Sequence, residues 1–139
     1  MRETLQLIGD QKLASVLKDA PAKAKPKLGA FWRSDNTINE MLASLSGLRE
    51  IMADNVWSAF STDVVNSNLR VFQSELKFAH RTLSSVSQQT DWLSGAQLPE
   101  IHKQLLYVAI PVNSAQTVLA EKLLPALGLR IGFNSLDGD

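Results

Sequence analysis

Trp32, Arg33 and Ser34 stand side by side: an aromatic face, a guanidinium fork and a hydroxyl. They come just before a stretch that reads as a helix. Helix N-termini attract anions, and Arg grips carboxylate or phosphate through two parallel hydrogen bonds. The trio is therefore the first candidate for ligand binding, with Asn36 and Asn66 as further polar candidates. A plainer reading stays open: a helix N-cap accounts for Ser34 and a lid over the core accounts for Trp32. At the other end of the chain, Asp137 and Asp139 place carboxylates close to the terminal carboxylate. Such oxygens can hold a hard cation, although the segment is too short for an EF-hand and serves equally as a solvated acidic turn. Asn134 is suited to tying that turn to its own backbone.

The remaining chemistry is sparse. The histidines are His80 and His102, and cysteine is absent. Each histidine follows an apolar seam residue, so both are expected as partly exposed polar side chains. A zinc site needs three or four N, S or O ligands, and these two lack His-x-x-x-His spacing. There is no Gly-x-Ser-x-Gly elbow for a nucleophile. Glu40, Glu50, Glu75, Glu100 and Glu121 have no Glu-x-x-His partner, which argues against a di-iron bundle.

Four helical patterns must position these residues. The first spans Arg2 to Leu17, with Leu5, Ile8, Leu13, Val16 and Leu17 at helical spacing. Ala20 to Gly29 reads as a solvated loop, broken by Pro21 and Pro26 and carrying Lys23, Lys25 and Lys27. The second helix runs from about Ile38 to Ala53. Its expected stripe is Ile38, Leu42, Leu45 and Met52, flanked by Met41, Leu48 and Ile51. Thr37 and Glu40 have capping-box spacing. Asp54 and Asn55 end that helix, and a short apolar stretch from Val56 to Phe60 leads on. The third helix has the narrow seam of a bundle: Val65, Leu69, Phe72, Leu76, Ala79, Leu83 and Val86, with N-cap oxygens at Ser61, Thr62 and Asp63. Ser84 to Gly95 is polar, with Trp92 and Leu93 as a plug over the bundle end. The fourth helix opens at Pro99-Glu100. Its stripe is Ile101, Leu105, Val108, Val112, Ala115, Leu119, Leu123 and Ala126. Pro111 inside it is expected to bend it, and Gly128 suits the C′ position. The spacing predicts an all-α fold: an antiparallel up-and-down four-helix bundle with a short C-terminal extended tail around Ile131 to Phe133.

At 139 residues the chain is a single domain, residues 1–139, able to bury a core. Lys plus Arg and Asp plus Glu number 14 each. That balance argues against a nucleic-acid partner and against a polybasic membrane anchor. Met1 opens directly into an amphipathic pattern. There is no signal-peptide core, no lipidation cysteine and no apolar run of transmembrane length.

Two segments carry a family resemblance. One is Phe31-Trp32-Arg33-Ser34-Asp35-Asn36-Thr37 ahead of a helix rich in Leu and Asn. The other is the ending from Gly128 through Arg130, Gly132, Phe133, Asn134, Ser135, Leu136, Asp137 and Gly138 to Asp139. With Leu7, Gln11, Lys12 and Leu13 before them, in order, they make the chain resemble the C-terminal half of the imelysin-like family. The resemblance implies a two-bundle protein or lipoprotein of the periplasm, iron-regulated and linked to iron uptake. It implies an N-terminal partner half, present as a separate chain or an upstream segment that also carries the export address. It further implies a ligand site between the halves and iron or another divalent metal in the complete protein. On that reading the chain is more a binding wall than an enzyme. The family's Gly-x-His-x-x-Glu motif belongs to the other half: neither His80-Arg81-Thr82-Leu83 nor His102-Lys103-Gln104-Leu105 matches it. Two alternatives remain: part of a metallopeptidase whose His and Glu lie on the partner, and a plain helical interaction module.

Overall fold

The computed structural model describes residues 1–53 and 57–129. The described residues are all-α, as the periodicity predicts. Helix α1 covers residues 2–17. It is α-helical over Arg2–Gln6, π-helical over Leu7–Ala14 and α-helical again over Ser15–Leu17. Helix α2 is Thr37–Ile51 and α3 is Asp63–Ser87. A single turn, α4, is Trp92–Gly95. Helix α5 covers residues 99–126: Pro99–Thr117 is α-helical, Val118–Leu123 π-helical and Leu124–Ala126 α-helical. Helical structure continues through Pro111, whose ring is buried.

Cross-contacts fix the directions. His102 meets Leu17 and Gly9 meets Asn113, so α5 runs antiparallel to α1. Ser114 donates to Glu75, while Tyr107 and Gln104 share a groove with Phe78 and Thr82, so α3 and α5 are antiparallel. Gln73 reaches Met52, while Asp35 just before α2 meets Trp92 just after α3, making α2 antiparallel to α3. The four long helices thus alternate up and down, and a Lys12–Glu40 ion pair ties α1 to α2.

The apolar seams meet in one core. All seven seam residues expected on α3 are buried. On α2 the buried line is instead Ile38, Met41, Leu45, Leu48 and Met52. Leu42 is only half-buried and Ile51 is exposed, so the face is rotated from the expected stripe. On α5 the seam holds as far as Leu123, and Ala126 lies exposed.

The helix ends follow local chemistry. Thr62 accepts from the Val65 amide and caps α3. The capping box expected at Thr37 does not form. Thr37 lies inside α2, buried, and donates to the Ala30 carbonyl at 2.6 Å, while Glu40 turns to Lys12. Tertiary partners outcompete the local motif here. At the end of α5, Gly128 has φ +72°. The Gly128 amide donates to the Pro125 carbonyl and that of Leu129 to Leu124, a Schellman closure. The expected extended tail, the Asp54–Asn55 break and the start of the Val56–Phe60 stretch lie outside the described residues.

Candidate functional site

The Trp32–Ser34 segment is a 3₁₀ turn flanked by two left-handed residues, Phe31 and Asp35. Asn36, not Ser34, precedes α2, and the Ser34 hydroxyl donates to the Phe31 carbonyl at 3.1 Å. Ser34 therefore stabilises the turn and does not cap the helix. Trp32 is half-buried against the core. The Arg33 guanidinium stacks 4.9 Å from its ring centroid, and Lys27 lies 5.7 Å from the same ring. Stacking of this kind steadies a guanidinium while leaving its edge N–H groups outward. Arg33 and Asn36 are exposed, and Asn36 accepts from the Asn39 amide.

The turn is pinned from beneath. The Asp35 carboxylate accepts from the Trp92 backbone amide at 3.0 Å. The Trp92 indole, fully buried, donates to the Pro26 carbonyl at 2.8 Å. Gly29 passes so close that a Cβ there would lie 2.8 Å from the indole nitrogen. The 20–29 segment is thus no simple solvated loop: Pro26 and Gly29 are buried under Trp92. Trp92 does plug the bundle end, as expected, but Leu93 is only half-buried. Asp91 caps the α4 turn by accepting from the Ser94 amide and hydroxyl, which holds its carboxyl below the ordinary range.

Asn66 is not part of this assembly. It sits in the first turn of α3, exchanging hydrogen bonds with Ser61. The Trp32 turn lies at the opposite end of that helix, roughly 30 Å away at 1.5 Å per residue. The candidate residues therefore divide: Trp32, Arg33, Ser34 and Asn36 share one corner, and Asn66 does not. Asp137 and Asp139 lie outside the described residues.

His102 departs from expectation. It is 3% exposed. Its Nε2 lies 2.9 Å from the Leu17 carbonyl; a carbonyl only accepts, so Nε2 carries the proton. The ring closes the C-terminal end of α1, which explains its burial. His80 is partly exposed as expected. Burial, and then the positive charge of Arg49, hold its pKa below the usual value. Among the described residues no group of three or more His, Asp or Glu side chains is placed to hold a metal.

Two grooves flank α3. One, between α3 and α5, is a mainly apolar cleft of about 490 Å³ lined by Phe78, Thr82, Tyr107, Ile110 and Pro111, with Glu75 and Gln104 at its margin. Phe78, Tyr107 and Ile110 are 60%, 50% and 63% exposed. The other, between α2 and α3, also about 490 Å³, is lined by Arg49, Ala53, Arg70, Gln73, Ser74 and Lys77. Sequence reasoning named the lining of neither cleft and missed the second altogether. Its signal was present as the polar spacing Arg70, Gln73, Ser74, Lys77, one flank of a helix whose other flank is seam. No helix among the described residues is long and apolar enough to cross a membrane. No family model, curated protein or solved structure matches the chain.

Proposed function

We propose that this chain is the non-enzymatic C-terminal half of an imelysin-like, iron-linked protein of the periplasm or cell envelope. It forms one wall of a ligand site that an N-terminal helical bundle completes. One observation carries the reading: the outer face of the α3–α5 pair presents Phe78, Tyr107 and Ile110 together around an open apolar cleft. Scattered surface apolar residues need no explanation, but exposed aromatic and aliphatic side chains gathered around one cleft support an interface. A second helical bundle, with its own apolar stripe, is the partner such a groove between helices fits. The Trp32–Arg33 stack and Asn36 supply the polar side of the shared site, with iron or another divalent metal as its cargo.

The test is assembly. The chain is mixed with the N-terminal half, and native mass is read beside the denaturing mass of each polypeptide. The expected result is a one-to-one complex that binds iron, while the chain alone does not. A chain that stays monomeric beside that half, or that binds iron tightly by itself, overturns the reading.

A further inference from the structure

The cleft between α2 and α3 has no place in that reading. Among the described residues its charged lining is all positive: Arg49 from the last turn of α2, and Arg70 and Lys77 from α3. The chain as a whole is neutral, so this concentration is local. Among the described residues none of these cations forms an ion pair, whereas Lys12 and Lys23 do. Like charges converging on one cleft repel each other.

The ordinary reason for cations here is the C-terminal end of α2, whose free carbonyls attract positive charge. The carbonyls of Leu48, Glu50, Ile51 and Met52 already have partners. The Trp57 indole donates to the Ile51 carbonyl at 2.9 Å, and the Gln73 amide to the Met52 carbonyl at 2.6 Å. Helix capping therefore leaves Arg49, Arg70 and Lys77 unused. The Gln73 bond also braces the cleft floor, and the Ser74 hydroxyl lies exposed beside it.

We propose that this cleft is a binding site for a small oxyanion bearing two or more phosphate or carboxylate groups, gripped by Arg49, Arg70 and Lys77. Guanidinium forks match the paired oxygens of both groups. A volume of about 490 Å³ suits a small molecule. The recess between two helices favours a free anion over the flat array of headgroups on a membrane. Bound negative charge would offset the repulsion among the three cations.

Calorimetric titration of the whole chain with pyrophosphate and with citrate, at physiological salt, tests the site. Saturable one-to-one binding is expected for one or both. Pyrophosphate alone points to a phosphate compound, and citrate alone to a polycarboxylate. Arg49→Gln and Arg70→Gln should each weaken binding by about tenfold or more, the worth of one charge-assisted hydrogen bond. Arg70→Lys, which keeps the charge but loses the fork, should fall between wild type and Arg70→Gln. Thermal melts by circular dichroism confirm that each variant is folded. The proposal is overturned if neither anion binds, or if folded Gln variants bind as well as wild type. It is also overturned if the chain binds only phosphatidylglycerol vesicles and no free anion.

Discussion

At the scale of single residues, two side chains sit in environments that work against them. Lys18 closes α1 with φ 59° and ψ −165°, a region open in practice only to glycine. Lys18→Gly removes that strain but adds freedom to the unfolded chain. The balance favours the variant by roughly 1 kcal/mol, to be read from urea denaturation; equal or lower stability would contradict the account. His80 is the second case. Burial, reinforced by Arg49, depresses its pKa from 6.5. The unfolded chain therefore takes up this proton at higher pH than the folded one. Neutral His80 contributes fully above pH 6.5, and its contribution drains away as pH falls through the depressed value. In Arg49→Gln the larger effect, burial, remains. The His80 ring should then titrate higher than in wild type yet still below 6.5 by NMR. An unmoved His80 would separate it from Arg49.

Among the elements, the connection from α1 to α2 is held by Thr37, Asp35 and, most deeply, Trp92. Trp92 is buried, bonded to Pro26 and covered by Gly29. Trp92→Phe keeps most of the apolar area but removes the indole bond to the Pro26 carbonyl, which keeps the Gly29 amide as its other donor, a loss of about 1 kcal/mol. Gly29→Ala should destabilise by about 1–3 kcal/mol, because its methyl group overlaps the indole. Denaturant melts would show both, and a silent Gly29→Ala would mean that the indole yields freely. The elements themselves were legible in advance where one physical effect dominates. The α3 seam follows from burial alone, and Thr62 and Gly128 follow from backbone chemistry. Legibility ended where distant groups compete. Nothing local says that Glu40 will leave Thr37 for Lys12, 28 positions away, or that His102 will close a helix 85 positions earlier. For the candidate site, adjacency in sequence kept Trp32, Arg33 and Asn36 together. Asn66 was placed by residue type alone, and helix length carries it to the far end.

For the whole molecule, the outer α3–α5 face and the core make different demands on sequence. Phe78 is largely exposed, so Phe78→Asp should change the stability of the isolated chain by no more than about 0.5 kcal/mol. On the proposed function the same change should abolish assembly with the N-terminal half, seen as loss of the heavier species in native mass. A variant that assembles normally would move the interface elsewhere.

The packing of α5 against both α1 and α3 has a consequence for how the chain reaches this state. The helix that supports the other two follows them in the chain, and the contact from Leu17 to His102 closes a loop of 85 positions. Nascent α2 and α3 can meet as they are synthesised, yet the faces of α1 and α3 that pack on α5 stay unmatched until α5 arrives. Cooperative folding is therefore deferred until α5 has been made, and closure of that long loop belongs to the slow part of the reaction. Until then the exposed seams are what a chaperone would hold.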